Sequence, residues 1–302
     1  MKCMRIGMIL LFSLSLFPRS FSNASATNNN MVSDKTDKWV ALLQEAMVSA
    51  ESFFVKVHAA EALIENNYPA GIEPVFMHLQ KAAPAYFIGA SRVLAKLNRK
   101  NPEKEQPYLD GILAIFLHSD IYLQRLIALE SLGKLGYYKP LPELKQQAES
   151  GEKRLKSMAR WVMANSGNVA DENKLADLFT SEEPFDNRDA AYAFRFRQNM
   201  QPENYILLQT CANRLAKDNP HRVYVVSAAY VHALNKEQEK KAYQELIAYL
   251  AGQNNERYEV AEALGSRGLK KEMEVLEKLL QDPDLDVRVA AVNALLKIRN
   301  RK

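Results

Sequence analysis

The sequence predicts an all-α protein: a right-handed α-α superhelix, a solenoid of about eight two-helix repeats. Three observations predict it. Apolar residues recur at helical spacing from Lys38 to the C-terminus, and no segment alternates convincingly as a strand would. Prolines and short polar clusters break that pattern at intervals of about one helix. A self-similar unit returns at a period near that of helical repeat proteins.

The N-terminal residues stand apart from this pattern. Lys2 and Arg5 precede an apolar run from Ile6 to Phe17, interrupted only by Gly7, Ser13 and Ser15. Ala24-Ser25-Ala26 has the small-x-small form of a cleavage site, so residues 1–26 are expected to be a signal peptide. As a helix the apolar run would reach only about 18 Å, against roughly 30 Å of hydrocarbon. No stable membrane insertion is therefore expected after cleavage, and the mature chain is expected to be exported, periplasmic or secreted. Residues 27–37 are polar and are expected to form a flexible leader. The solenoid is assigned to residues 38–302.

Removing the signal changes the charge balance. The 40 basic residues fall to 37 once Lys2, Arg5 and Arg19 are set aside, against 36 acidic ones. A chain so balanced lacks the positive footprint of a phosphate-backbone binder, and no nucleic-acid partner is expected. The mature chain keeps one cysteine, Cys211, so it cannot form an internal disulfide. Its core must hold it together.

The repeat is clearest at the end of the chain, where Asp282-Pro-Asp-Leu-Asp-Val-Arg-Val-Ala-Ala-Val-Asn-Ala-Leu295 runs from an acidic turn into an apolar helix. With Leu295 as anchor, equivalent positions fall at Leu63, Leu94, Leu132, Met163, Phe194, Leu234 and Leu264. Successive spacings are 31, 38, 31, 31, 40, 30 and 31 residues. One residue before each anchor the side chain is small: Ala62, Val93, Ser131, Val162, Ala193, Ala233, Ala263, Ala294. Four before it stand Ala59, Ala90, Ala128, Ala159, Ala190, Tyr230, Val260 and Ala291. The anchor and the position four before it share one helix face. Alanine there lets the next layer approach closely while the anchor fills the gap. Partner helices are expected near 38–48, 71–80, 105–117, 142–148, 171–179, 203–216, 238–251 and 271–280. No single layer buries both its faces, so stacking supplies the missing surface.

Pro283 to Leu295 resembles a HEAT repeat, of the subtype also found in bilin lyases. Val55-Lys-Val-His-Ala-Ala-Glu-Ala-Leu63 is similar, and residues 124–132 and 255–264 are weaker copies. The resemblance spans about residues 38–302. It implies a binding surface more than any one activity.

A basic residue recurs seven before the anchor: Lys56, Arg125, Lys156, Arg257 and Arg288. In proteins this sequence resembles, Asp and Arg near the turn form an inter-repeat hydrogen-bond ladder, a role that Asp284 and Asp286 beside Arg288 would fit. The alternative is a track for an anionic ligand.

The chain shows little that could carry chemistry. His58, His78, His118, His221 and His232 include no i, i+4 metal pair. Cys211 lies on the apolar stripe of Leu208 and Leu215 and reads as core. Glu182, Glu183 and Asp186 read as a solvated loop and helix start. No catalytic residue, metal site or cofactor is predicted.

Positions two before and two after the anchor should point away from the core. Most are polar, among them Glu61 and Glu65, Arg92 and Lys96, Asn293 and Lys297. In the central units they are Trp161 with Asn165, Tyr192 with Phe196, and His232 with Lys236, and Arg195 and Arg197 flank Phe196. Exposed, they would form a patch of the kind that binds partners. Covered by the long fifth interval, they would be core. Trp161, Tyr192, Arg195, Phe196 and His232 are thus the candidate partner-binding residues. The expected function is a non-enzymatic scaffold that binds a protein or peptide on a concave face lined by the anchor helices. The alternatives are a glycan-binding module that stacks sugars on those rings, and a lyase-type enzyme.

Overall fold

The computed structural model describes residues 24–301. The expected signal peptide lies outside the described residues except for its last three. Two compact units divide the chain, Met1–Asp37 and Lys38–Lys302; the second carries the fold.

The described residues form sixteen α-helices and no strand. They are α1 (Ala24–Ser49), α2 (Phe53–Glu65), α3 (Ile72–Ala82), α4 (Phe87–Leu97), α5 (Pro102–His118), α6 (Tyr122–Lys134), α7 (Pro142–Ser150) and α8 (Lys153–Ala164). There follow α9 (Val169–Ala176), α10 (Pro184–Arg195), α11 (Pro202–Arg214), α12 (Arg222–Val231), α13 (Lys236–Ala248), α14 (Asn254–Arg267), α15 (Met273–Leu279) and α16 (Leu285–Asn300). Short 3-10 turns extend or precede several of them. The odd-numbered helices fall where partner helices are expected and the even-numbered ones carry the anchors. The all-α, HEAT-like solenoid of two-helix layers is present.

Local chemistry sets the boundaries. Asn101, Asn168, Asn235 and Asp284 each accept a backbone N–H in the first turn of the helix they precede. Gln253 and Glu256 make a reciprocal capping box at the start of α14. Proline opens α5, α7 and α11, where a missing N–H costs nothing. Gly268, at φ +72°, ends α14 in a left-handed conformation that suits glycine.

Each even-numbered helix packs on the next, from α2 through α4, α6, α8, α10, α12 and α14 to α16. The small residues one and four before the anchors are buried, as are the anchors Leu63, Leu94, Leu132, Phe194, Leu264 and Leu295. Met163 is half-buried against the same core.

The series does not end at α16, which packs against α2. His58 Nδ1 lies 2.8 Å from Asp286 Oδ1, Asn66 donates to Asn293 at 2.9 Å, and Lys297 pairs with Glu65 at 2.6 Å. The stack therefore closes into a ring. Its inner wall is the eight even-numbered helices of the described residues. Every layer runs outer helix then inner helix, so the inner helices all point the same way and their C-termini share one rim.

Helix α1 begins at Ala24, so residues 27–37 are helical among the described residues. One expectation needs correction. In the sixth layer Leu234 is not an anchor: α12 stops at Val231, and Leu234 lies beyond it, 52% exposed. Counting from Ala229 instead, Val225 and Ala228 become the small buried positions and the neighbouring spacings become 35 and 35.

Candidate functional site

The ring surrounds a lumen, and the candidate site is its wall. The positions two before and two after most anchors point away from the layer core, as helical geometry requires, with Trp161 and His232 as exceptions. In a closed ring that direction leads to the central axis, not to bulk solvent. The result is a band of charged side chains in ion pairs.

Neighbouring inner helices pair first. Arg92 on α4 grips Glu61 on α2 with two contacts, 2.8 and 3.2 Å, and reaches Ser131 on α6 at 3.2 Å. Lys96 on α4 and Lys297 on α16 each hold one oxygen of Glu65. Lys134 and Glu130, one turn apart on α6, lie 2.9 Å apart.

Helix α10 then reaches across. The Tyr192 hydroxyl donates to Glu130 on α6 at 3.0 Å, passing over α8. Arg195 lies 2.8 Å from Glu259 and 2.9 Å from Glu262, both on α14, passing over α12. Phe196, the next residue, has its ring centroid 4.6 Å from the Arg195 guanidinium and 5.5 Å from the Lys134 ammonium. The Tyr192 ring lies 5.4 Å from both cations, and these are cation–π distances.

Ionisation follows from these contacts. Burial alone would raise the carboxyl of Glu61, but Arg92, Lys96 and Lys134 overcome it and hold the group at about 2. Glu130 is likewise opposed by burial and held at about 2 by Lys134 and Arg92. Burial also works against Glu65 and Glu262, and nearby cations hold both below the usual carboxylate range. Glu259 is the exception: its burial is not offset by Arg195 and Ser227, and its carboxyl is pushed up. Burial and the charge of Glu130 drive the Tyr192 hydroxyl well above 10. The lumen carboxylates other than Glu259 are thus fixed as anions at neutral pH.

The space left between these groups is a cavity of about 530 Å³. It runs from His58, Tyr258 and Ala290 near the N-terminal ends of the inner helices to Arg99, Gly136 and Gln198 at their C-terminal rim. Its exposed lining residues, including Arg99, Phe196 and Gln198, all lie toward the C-terminal rim, which is the mouth.

The structure divides the predicted partner-binding residues. Trp161 is fully buried, with its ring against Gly133 and 5.8 and 5.4 Å from the Tyr192 and Phe196 rings. It cannot offer a face to a ligand, because glycine at 133 lets the ring sink between layers. His232 is buried too, its Nε2 2.8 Å from the Phe194 carbonyl oxygen, and burial lowers its pKa. The expected exposed patch is therefore corrected to a lumen wall of Tyr192, Arg195 and Phe196, of which only Phe196 is well exposed, at 40%. Sugar stacking on Trp161 has no surface to use.

The recurring basic residues take several roles. Arg257 makes a two-contact pair with Asp282 of the following layer, at 2.6 and 3.0 Å. Arg125 reaches Gln147 of the next layer at 2.9 Å and the Phe116 carbonyl of its own at 3.2 Å. Arg288 and Lys56 instead donate within their layers, to the Asp282 carbonyl in the turn before α16 and to the Val48 carbonyl at the end of α1. Asp286 bridges to His58 at the closure, and Lys156 lines an outer cleft near Asp177 and Asp186. Arg222, which the misplaced sixth anchor hid, reaches the carbonyls of Ala212 and Leu215 and pairs with Glu245 at 2.6 Å. Sequence reasoning also passed over Glu61, Glu65, Lys96, Lys134, Glu262 and Lys297 as a solvated stripe. Their signal was the opposite charge at matching offsets in successive repeats.

Among the described residues, no group of three or more His, Cys, Asp or Glu side chains is placed to hold a metal. No described helix is long and apolar enough to cross a membrane. The HEAT repeat family model matches residues 273–298, which take in α15 and most of α16. The resemblance read from the last repeat is thereby shown. Among solved structures, the chain is similar to human deoxyhypusine hydroxylase in complex with glycerol, with 17% identity, 89% of this chain and 99% of that chain covered, and a TM-score of 0.41. It is also similar to an engineered protein (16% identity, 86% and 78% covered, TM-score 0.32). A third is a designed armadillo repeat protein in complex with the peptide (KR)4 (16% identity, 86% and 98% covered, TM-score 0.21). At these scores none of the three bears on activity. No curated protein matches the sequence.

Proposed function

We propose that this protein is an exported HEAT-like scaffold, without catalysis of its own, that receives a protein or peptide partner at the C-terminal mouth of its lumen. The observation that carries this reading is the wall of Lys134, Tyr192, Arg195 and Phe196. Its cations are held in place by Glu130, Glu259 and Glu262, and it leaves the Phe196 ring 40% exposed at the opening. Aromatic and arginine side chains set rigidly in a concave site are the usual anchors of recognition. Helical repeat proteins use their concave surfaces to bind. The ionisation of the lumen supports a binding role over acid–base chemistry, because carboxylates held near 2 make poor proton donors at neutral pH. The apolar leader with its Ala24-Ser25-Ala26 site supports export.

The test places a photo-crosslinking residue at Gln198, on the mouth, or at Ile206, exposed on the outer helix α11. A partner captured from Gln198 and lost when Ser266→Trp fills the cavity is the expected result. Capture from Ile206 alone, unaffected by Ser266→Trp, would overturn the reading. Cell fractionation of the tagged full chain checks export, and an uncleaved cytoplasmic product would remove that part.

A further inference from the structure

We infer that the lumen receives a chain end, and that the group it recognises is the free carboxylate of a peptide C-terminus. This rests on the reading above and deepens it in two steps, one from topology and one from charge.

Topology limits how a peptide can enter. An open solenoid has a groove along which the middle of a chain can lie. Here the seam between α2 and α16 is shut by His58–Asp286, Asn66–Asn293 and Glu65–Lys297. Among the described residues no side entrance remains at this seam, so a ligand must come in through the rim. The bridges from α10 to α6 and α14 already divide the lumen, leaving about 530 Å³. That is the size of a small-molecule pocket, with room for a single strand's end and not for a folded domain.

Charge selects which end. Five of the lining side chains are basic: Lys96, Arg99, Lys134, Arg195 and Lys297. Three are acidic: Glu61, Glu65 and Glu262. Arg195 is committed to Glu259 and Glu262. The three lysines are not fully committed. An ammonium has three donors, and Lys96, Lys134 and Lys297 each engage one carboxylate, Glu65, Glu130 and Glu65 respectively. Arg99, which pairs with Glu105 at 3.5 Å and donates to the Leu135 carbonyl, is half exposed at the mouth. An entering carboxylate finds spare ammonium donors without displacing an existing pair, and the excess of cations over carboxylates on the lining favours an anionic end over an ammonium. The exposed Phe196 ring beside Lys134 offers an apolar contact for the last side chain.

The probe is a pool of N-acetylated random tetrapeptides with a free C-terminal carboxylate. The same pool as C-terminal amides and N-acetylalanine alone run beside it, each with the mature chain under native mass spectrometry. The free-acid pool should give peptide complexes that weaken about tenfold on amidation, the scale of one charge-assisted hydrogen bond. Lys96→Gln should weaken them severalfold while leaving Glu65 paired with Lys297, and added salt should weaken them further. Equal binding of acid and amide pools would overturn the carboxylate assignment while leaving a peptide partner standing. Binding of N-acetylalanine as tight as the tetrapeptides would overturn the chain end in favour of a small carboxylate. Binding of neither pool, with crosslinking at Gln198 still lost in Ser266→Trp, would overturn the inference but not the scaffold reading.

Discussion

Gly133 faces the indole of Trp161 so closely that a Cβ there would lie 2.6 Å from the ring. The neighbouring atoms belong to a rigid aromatic wedged between layers, so the ring cannot swing aside. Gly133→Ala is expected to destabilise the fold by about 1–3 kcal/mol, the range for overpacking a tight core. Equilibrium urea unfolding measures it, and a variant as stable as wild type would show that the rings are not locked. The same burial means that Trp161→Ala would cost roughly 3–5 kcal/mol as a cavity, so lost binding in that variant would report packing. Glu272 poses a different residue-scale problem. It is fully buried, its Oε2 accepts the Leu269 N–H at 3.2 Å, and its Oε1 has no partner in the structure. Burial pushes its carboxyl up to about 7, against the Leu269 N–H and Arg301. A folded-state value raised above the ordinary 4.5 gives stability that is full below about 4.5 and lost as pH rises through about 7. Wild-type stability should therefore fall between pH 5 and 8.5, by at most about 3 kcal/mol from this group. Glu272→Gln should remove that part of the slope. Identical slopes in the two proteins would mean the carboxyl finds water or a cation.

At the scale of the helix, α10 is the element whose role was hardest to foresee. Its existence was legible, and so were the other helices, because side-chain caps, N-terminal prolines and apolar spacing are local signals. The offsets of Tyr192 and Phe196 were legible too. What the sequence could not show is that this helix meets charged partners two layers away, since a hydrogen bond 62 residues apart and an ion pair 67 apart leave no periodic trace. The sixth layer failed for a local reason: Leu234 mimics an anchor three residues past the end of α12, while the true wall residue, Ala229, is small and unremarkable. Arg222 was the overlooked clue, because it stands seven before Ala229, as Arg257 stands seven before Leu264. The cross-lumen ties of α10 carry a prediction at this scale. Arg195→Ala would leave Glu259 and Glu262 without their guanidinium partner, and breaking a buried pair from one side costs about 3–5 kcal/mol. Adding Glu262→Gln should recover part of that loss by removing the stranded carboxylate that stays ionised. Chemical denaturation of both variants checks it. A single variant within about 0.5 kcal/mol of wild type would show that α10 is not held across the ring.

At the scale of the whole molecule, the repeat period predicted stacking but not closure. Periodicity fixes how one layer sits on the next; whether eight such steps come full circle depends on small rotations that accumulate. One feature of the last repeat pointed that way. Terminal repeats of an open solenoid usually turn a polar face outward, yet α16 buries Val287, Val289, Val292, Leu295, Leu296 and Ile298. Its side next to α2 adds Asn293, bonded to Asn66, and Lys297, bonded to Glu65. First and last layers cap each other, so neither behaves as a free end. In an open stack the terminal helix frays independently and the opposite end does not respond. In a ring, weakening the seam must release both sides together. The double variant Asn66→Ala, Lys297→Met removes two hydrogen bonds, to Asn293 and from Asn300, and one ion pair at the closure while leaving Glu65 paired with Lys96. Amide hydrogen exchange at fixed pH should then show α2 and α16 losing protection in parallel, with α8 and α10 unchanged on the far side. The lumen mouth, bounded by Glu65 and Lys297, should lose its peptide binding in the same variant. Loss of protection in α16 alone, with α2 as slow as in wild type, is the behaviour of an open end and would rule out the closed ring on which the whole account of the lumen depends.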